Sequence, residues 1–255
     1  MEIGPPGLNL TEWHDRYRQQ GNWSEKIRKY LFSQAQIEFE HSILEVGSGT
    51  GAILGLLKEG GYQNLIGVDI NIAGLKFSKE KNHQLSLVQG DGFKLPFKNH
   101  TFDVSLCHFL LLWVLHPHFL LTELLRVTRP DGFVLALAEP DHEARIDYPP
   151  PLDQLGKLQT QSLQDQGVDT QMGRKLRGLF HDIGLLDVQS GILGAQSSSK
   201  ILNDTTEWSM LESDLTEFLN KEELSNFKQH NTKAWTLGRR VLFVPTFYAM
   251  GKVPE

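Results

Sequence analysis

The sequence of 255 residues contains a single cysteine, Cys107, and has fewer basic than acidic residues. One cysteine excludes an internal disulfide framework and a zinc site built from several cysteines, and we predict no metal site. No apolar run approaches the roughly 20 residues that a membrane-spanning helix needs, so we expect no membrane span. The formal net charge is -6. Nucleic-acid-binding surfaces are usually basic, so we also expect no nucleic-acid partner.

Residues 1–6 lack the basic region and the apolar region of a secretory signal peptide. We therefore expect a cytoplasmic protein. Hydrophobic residues make up 40% and charged residues 22% of the chain, which is typical of a globular domain. The length predicts one domain over residues 1–255. Whether it acts as a monomer or a homodimer is left open.

Short apolar runs alternate with helical patterns through the centre of the chain. Strands are predicted at 42–46, 65–69, 85–89, 102–107, 133–138, 186–192 and 241–252. The alternation predicts an α/β fold with a doubly wound, mostly parallel sheet. Residues 11–36 predict two helices, broken near Gly21, that cover this sheet. The segments 141–171 and 205–237 predict an inserted helical lid, because they are too long for simple connections.

Three glycines, Gly47, Gly49 and Gly51, follow the first predicted strand and precede a helical pattern. Glycines at such a turn let a ligand approach the main chain and the helix N-terminus closely. The spacing alone is a weak signal. It also fits the dinucleotide fingerprint G-x-G-x-x-A through Gly47, Gly49 and Ala52, so an NAD-dependent oxidoreductase is one alternative.

Three acidic residues accompany the glycines: Glu45 inside the first strand, Asp69 at the end of the second and Asp91 at the end of the third. A carboxylate in an apolar strand needs a positive or donor-rich partner nearby. The ends of parallel strands share one edge of a sheet, where such sheets bind ligands. This set suits a ligand with a cationic amine, a ribose and an adenine amino group. Glu45 would repel a pyrophosphate.

Residues 44–51 resemble motif I of the class I S-adenosylmethionine-dependent methyltransferases, residues 67–70 their second motif and residues 90–97 their third. Phe102-Asp103-Val104 and residues 129–132 are similar to the two landmarks that follow. The resemblance covers about residues 40–140 and is closest to the small-molecule branch that includes ubiquinone and menaquinone biosynthesis enzymes. It implies a Rossmann-like, seven-stranded sheet with the last strand antiparallel. It also implies methyl transfer from S-adenosylmethionine to a small-molecule acceptor, with S-adenosylhomocysteine as product.

The resemblance also implies roles for individual residues. The cofactor contacts that it implies are Glu45, Gly47, Ser48, Gly49, Thr50 and Gly51 around the methionine part, Asp69 at the ribose, Ile70, Asp91, Gly92 and Phe93 at the adenine, and Cys107 and His108 beside the sulfonium and methyl group. From the N-terminal helices, Arg18 and Trp23 are proposed to close over the cofactor.

No catalytic residue follows directly from the sequence. Transfer from a sulfonium is an in-line displacement of an activated leaving group, and a general base is needed only if the acceptor must lose a proton. The candidates for such a base are His108, Glu139 and His142. Two further alternatives are a non-catalytic S-adenosylmethionine-binding module and a tRNA or protein methyltransferase. The acidic balance and the sequence at residues 107–110, which lacks an Asn/Asp-Pro-Pro-Tyr/Phe motif, disfavour the last of these.

Overall fold

The computed structural model describes residues 9–193, 208, 211, 212 and 214–255. Its helices are α1 (Leu10–Trp23), α2 (Glu25–Gln34), α3 (Ala52–Glu59), α4 (Ile72–Lys81), α5 (Pro117–Val127), α6 (Leu152–Asp165), α7 (Met172–Asp182) and α8 (Lys221–Thr236). Its strands are β1 (Ser42–Val46), β2 (Asn64–Asp69), β3 (Ser86–Gln89), β4 (Phe102–Cys107), β5 (Thr128–Pro140), β6 (Ile146–Tyr148), β7 (Leu186–Ile192), β8 (Val241–Phe243) and β9 (Thr246–Lys252). Two short 3-10 helices span Leu111–Trp113 and His142–Ala144. Within the described residues, no helix is both long and apolar enough to cross a bilayer.

Seven strands form one sheet in the order β3-β2-β1-β4-β5-β9-β7. The first five are parallel to one another, and β9 runs antiparallel to both β5 and β7. The predicted seven-stranded α/β sheet with an antiparallel last strand is confirmed. The register places Glu45 between Gly67 on β2 and Leu106 on β4, so this acid lies in the middle of the sheet.

Helices cover both faces of the sheet. Successive strand residues point to opposite faces. Leu44 accordingly packs in a core with residues of α5 and α7, whereas Ile43 packs in a second core with residues of α2 and α3. The fold is therefore doubly wound, as predicted.

The N-terminal helices break at Ser24, and the predicted break near Gly21 is wrong. Gly21 lies inside α1, where a Cβ atom would come within 2.6 Å of Leu56 Cδ1 and 2.7 Å of Ile53 Cδ1. This glycine therefore lets α1 pack closely on α3. At its other end, α1 begins with a capping box between Asn9 and Glu12.

The predicted last strand, 241–252, is two strands separated at Pro245. The first of them, β8, pairs antiparallel with β6 in a separate two-stranded sheet that the sequence did not indicate. Proline lacks the amide that a ladder needs, so the chain leaves one sheet and enters the other at this point.

The predicted lid segments pack together through a third core, and we call the described residues of 141–165 and 208–243 the cap. Leu152 and Leu155 of α6 contact Leu215 and Leu224 there. Residues 205–207, 209, 210 and 213 of the predicted lid lie outside the described residues. A role as a lid stays a prediction.

Buried charges also join the two segments of the cap. Asp147 on β6 forms ion pairs with Arg145 of the same segment and with Arg240, next to β8. All three side chains are almost fully buried. Removing one member would leave an uncompensated buried charge, so this cluster holds the cap segments in one arrangement.

Candidate functional site

The turn after β1 is built from glycines with left-handed backbone angles: φ is +73° at Gly47, +49° at Gly49 and +73° at Gly51. A Cβ at Gly51 would lie 2.0 Å from Ser78 Oγ, and a Cβ at Gly47 would lie 2.7 Å from Leu110 Cδ1. Side chains are excluded at both ends of the turn. At Gly49, in contrast, the nearest atoms lie 4.0 Å away. Main chain at the middle of the turn is therefore accessible to a ligand.

Asp69 connects this turn to the end of β2. Its Oδ2 accepts a hydrogen bond of 2.7 Å from the Gly49 amide, and its Oδ1 accepts one of 2.8 Å from the Asn71 amide. Each carboxylate oxygen can accept a second hydrogen bond. The residue predicted at the ribose thus also stabilises the glycine turn, and it retains capacity for ligand hydroxyls.

Glu45 is buried beneath the same turn, and its Oε2 has no hydrogen-bond partner among the described residues. Burial raises the pKa of Glu45 to about 8, and the charge of Asp69 adds to the effect. The expected positive partner is Arg28 on α2, whose charge lowers this pKa by less than burial raises it. The hydroxyl of Ser48 is likewise buried without a partner in the described structure. Two unsatisfied polar atoms therefore lie at the turn.

Ile70, Asp91, Gly92 and Phe93 lie at the ends of the neighbouring strands β2 and β3. Asp91 Oδ1 accepts a hydrogen bond of 2.9 Å from the Phe93 amide, and Asp91 itself is exposed. Both Ile70 and Phe93 expose their apolar side chains. Two apolar groups and a carboxylate on adjacent loops can hold a flat ring with an exocyclic amine.

His108, directly after β4, is held against the junction of the N-terminal helices. Its Nε2 lies 3.2 Å from Ser24 Oγ. Because the single proton of this hydroxyl is donated to the Gly21 carbonyl at 3.0 Å, we infer that Nε2 carries a proton and Nδ1 the lone pair. Burial and the charge of Arg28 lower the pKa of His108 to about 3. The ring is therefore neutral at pH 7.

Glu139 lies inside β5 and is fully buried. Its Oε1 accepts hydrogen bonds of 2.9 Å from the amides of Leu110 and Leu111, and its Oε2 accepts one of 3.1 Å from the amide of Leu112. Burial raises the pKa of Glu139 to about 7, although the three amides oppose this shift. This candidate base thus caps the short helix Leu111–Trp113 and positions the segment after β4.

The third candidate base, His142, lies at the start of the cap. Its main-chain amide donates to the Thr170 carbonyl at 2.8 Å, and its buried Nδ1 has no partner in the described part of the chain. Burial and the charge of Arg145 lower the pKa of His142 to about 4.

Cys107, at the end of β4, is fully buried. Burial, and then the charges of nearby Glu139 and Glu45, raise the pKa of its thiol. It is therefore a core thiol rather than a reactive one.

The structure places Arg18 and Trp23 away from the turn. Arg18 forms an ion pair of 2.9 Å with Glu59, and Trp23 is half-exposed, with the Arg16 guanidinium 4.9 Å from its ring centre. The contacts from α1 are made by other residues of that helix. His14 Nδ1 lies 3.1 Å from Thr50 Oγ1.

Tyr17 is the residue of α1 that faces the open part of the turn. Its Cε2 is one of the two atoms 4.0 Å from a Cβ built on Gly49. Burial, and then the charge of Asp69, raises the pKa of Tyr17. The Trp13 ring stacks on it with centroids 5.5 Å apart. Trp13, Tyr17 and Gly21 recur every four residues, and this spacing is the sequence signal that could have identified the docked face of α1.

Comparisons with known proteins agree with this geometry. Residues 44–136 match a family described as "Methyltransferase domain". Within this match lie the glycine turn, Asp69, Asp91 and His108. The geranyl diphosphate methyltransferase structure in complex with SAM superimposes with a TM-score of 0.52 at 14% identity, covering 87% of this chain and 84% of that chain. Residues 44–136 are therefore similar to a methyltransferase domain, and the chain shares the fold of a solved methyltransferase.

Two relatives of the methyltransferase domain extend the comparison. Demethylmenaquinone methyltransferase from Paenarthrobacter aurescens is 30% identical over 115 residues, which are 45% of either chain. Fatty-acid O-methyltransferase from Mycolicibacterium smegmatis is 29% identical over 195 residues, covering 73% of this chain and 65% of that one. The chain spans about half the length of the curated relatives that match it first. The family match leaves out α1, which contacts the glycine turn through His14, and Glu139, which binds the segment after β4. It also leaves out the cap.

Proposed function

We propose that this protein binds S-adenosylmethionine at the C-terminal edge of the sheet and transfers its methyl group to a small-molecule acceptor. The observation that carries the proposal is the buried, unpartnered Oε2 of Glu45 beneath the accessible Gly49 main chain. A buried carboxylate without a partner is costly unless it is neutral or meets a cation. A ligand with an amine and a sulfonium supplies that cation.

The residues present fit this cofactor. Main chain at Gly47, Gly49 and Gly51, with Ser48 and Thr50, would surround the methionine part, and Asp69 would accept from the ribose hydroxyls. Ile70 and Phe93 would pack on the adenine, with Gly92 beside it and Asp91 accepting from its amino group. Cys107 and His108 would border the methyl group from the end of β4. A pyrophosphate would supply no cation for the buried carboxyl of Glu45 beneath this turn, which argues against an NAD-dependent oxidoreductase.

The cofactor supplies an activated methyl group with a good leaving group. The chain's own contribution is then mainly orientation and exclusion of water. His108 and His142 are neutral but weakly basic because burial lowers their pKa values to about 3 and about 4. Glu139 already accepts three main-chain hydrogen bonds. We therefore propose an in-line transfer that depends on positioning more than on a strong general base.

An apolar small molecule is the acceptor class that we propose. The names of the relatives, a demethylmenaquinone methyltransferase and a fatty-acid O-methyltransferase, describe enzymes for lipophilic acceptors. Apolar side chains are exposed at the same edge of the sheet in this protein, among them Trp113 and Phe119. A non-catalytic S-adenosylmethionine-binding module is the alternative that turnover measurements address.

Titration calorimetry tests the cofactor directly. We expect S-adenosylhomocysteine to bind and NADH not to bind; the reverse pattern would overturn the proposal. Asp69→Ala should weaken S-adenosylhomocysteine binding by about 1 to 3 kcal/mol, since the ribose loses its acceptor. Asp153→Ala, at a partly exposed aspartate of α6 that pairs with Lys157, is the control and should leave affinity unchanged. Release of S-adenosylhomocysteine with a panel of apolar acceptors would then separate an enzyme from a binding module.

A further inference from the structure

Trp13, on α1, has a buried hydrogen-bond donor without a partner. Its side chain is 4% exposed, and its indole Nε1 has no acceptor among the described residues. Trp13 also belongs to none of the three apolar cores that the described residues form. An indole N–H can only donate, and buried donors in proteins are almost always satisfied. This N–H therefore has capacity for an acceptor that a ligand supplies.

The neighbours of Trp13 place it beside the glycine turn. The next residue, His14, has its Nδ1 3.1 Å from Thr50 Oγ1. The Trp13 ring stacks on the Tyr17 ring with centroids 5.5 Å apart and planes 28° apart. Tyr17 Cε2 in turn lies 4.0 Å from a Cβ built on Gly49. One ring thus separates Trp13 from the accessible main chain of the turn.

The main chain of the turn, residues 47–51, has few donors left for an anion. Four of its five amides already donate to acceptors within the protein, at 2.7 to 3.1 Å: those of Gly47, Ser48, Gly49 and Gly51. The Ser48 hydroxyl is a further donor, but a Cβ built on Gly67 would come within 2.7 Å of its Oγ. Since Gly67 is the β2 neighbour of Glu45, this hydroxyl lies on the Glu45 side of the turn. The unpartnered donor on the α1 side is Trp13 Nε1.

Two arginines of the N-terminal helices are engaged elsewhere. Arg18 pairs with Glu59 at 2.9 Å, and Arg28 donates to Ser24 Oγ at 3.3 Å and to a main-chain carbonyl at 3.0 Å. Burial, and then the charge of Arg18, lower the pKa of His14, so this ring is neutral at pH 7. A ligand carboxylate at the turn would therefore gain from a neutral donor on α1.

S-adenosylmethionine carries an ammonium and a carboxylate on the same carbon, so a site that takes one must also accommodate the other. In the proposed function, the ammonium meets Glu45. We propose that Trp13 recognises the carboxylate through a hydrogen bond from its Nε1–H and thereby selects nucleosides that carry an intact amino acid. This inference rests on the proposed function, because it concerns the same ligand.

Calorimetry with two ligands tests this role. S-adenosylhomocysteine has the carboxylate, whereas S-adenosyl-3-thiopropylamine has the same nucleoside, thioether and amine without it. Trp13→Phe keeps an aromatic ring and loses the N–H. We expect this variant to bind S-adenosylhomocysteine roughly 10- to 100-fold more weakly than wild type does, because a hydrogen bond to a charged group is lost. Its affinity for S-adenosyl-3-thiopropylamine should stay within about threefold of wild type.

Trp235→Phe is the matched control, because it makes the same substitution at a partly buried tryptophan of α8. It should leave both affinities unchanged. Thermal unfolding of the two variants shows that they fold.

A second readout follows the indole protons directly. The chain has five tryptophans, and the signal missing from the proton–nitrogen correlation spectrum of Trp13→Phe identifies Trp13. If that variant does not fold, phenylalanine variants of the other four tryptophans assign the signal by elimination. We expect S-adenosylhomocysteine to move this proton downfield, as a charge-assisted hydrogen bond does, and S-adenosyl-3-thiopropylamine to move it much less.

Two results would overturn the role of Trp13 and leave the proposed function standing. In the first, Trp13→Phe loses no affinity for S-adenosylhomocysteine, or loses the same factor for both ligands, so that the ring acts by packing alone. In the second, the indole proton stays in place when wild type is saturated with S-adenosylhomocysteine. If wild type binds neither ligand, the proposed function fails and this inference fails with it.

Discussion

Replacing Glu45 with glutamine should change how stability depends on pH. The folded chain holds the Glu45 proton up to a pKa of about 8, because burial disfavours the charge, whereas an unfolded glutamate titrates near 4.5. The folded state therefore binds more protons between these values. The contribution of protonated Glu45 to the free energy of unfolding is fully present below pH 4.5 and is lost as pH rises through about 8.

The magnitude follows from the two pKa values. Each pKa unit corresponds to about 1.4 kcal/mol. Relative to acid pH, the free energy of unfolding of the wild type should therefore fall by close to zero at pH 4, by roughly 3 kcal/mol at pH 7 and by roughly 4 to 5 kcal/mol above pH 8. Glutamine has the same shape and stays neutral. The free energy of unfolding of Glu45→Gln minus that of wild type should therefore increase by these amounts as pH rises.

Urea unfolding of both proteins at a series of pH values measures this difference. Subtracting one curve from the other removes the titration of Glu139 and His108, which both proteins share. Parallel curves across the whole range would refute the reasoning, because the pKa of Glu45 in the folded chain would then equal its value in the unfolded chain. A second readout uses calorimetry in buffers of different ionisation enthalpy: at pH 7, binding of S-adenosylhomocysteine should release a proton from wild type and none from Glu45→Gln.

The remaining predictions concern the turn and the elements that hold it. Alanine in the left-handed backbone conformation of Gly51 costs roughly 1 to 2 kcal/mol. Gly51→Ala should destabilise the fold by more than this amount, because its Cβ would also meet Ser78 Oγ. Adding Ser78→Gly should restore part of the lost stability, as measured by thermal unfolding. Glu139→Gln should cost about 1 to 3 kcal/mol in urea unfolding, because its amide would face a main-chain donor such as that of Leu112; unchanged stability would contradict the capping role. Tyr17→Ala should weaken S-adenosylhomocysteine binding in calorimetry more than Tyr17→Phe does, because phenylalanine keeps the ring over the turn. Equal affinities of wild type and both variants would exclude a contact between the Tyr17 ring and the ligand.

Much of the sheet could be predicted because its signals are local. Apolar runs followed by Asp69 or Asp91 identify two strands and their C-terminal ends. Parallel pairing then brings these ends together along one edge of the sheet. The glycines after β1 needed no structure to be recognised as a turn open to a ligand. The predicted positions of Glu45, Asp69 and Asp91 along one edge agree with the structure, whereas their contacts with a cofactor stay proposals.

Other features were wrong or missed because the deciding contacts join distant residues. Gly21 breaks a helical pattern on its own, yet it lies within α1, where its lack of a side chain lets α1 pack closely on Ile53 and Leu56 of α3. Pro245 divides the last strand because β6, nearly a hundred residues earlier, pairs with its first half.

By itself, then, the sequence determined the alternating fold, the glycine turn and the acidic ends of the strands, since each depends on neighbours within a few residues. Only the tertiary structure decided that Glu45 Oε2 is buried without a hydrogen-bond partner among the described residues. It also decided that Tyr17 rather than Arg18 faces the turn, and that Glu139 is committed to three amides. The physical reason is that burial and hydrogen bonding are set by whichever surfaces meet when helices and strands pack. Spacing along a helix can mark the face that is docked, but it does not record which residues that face contacts.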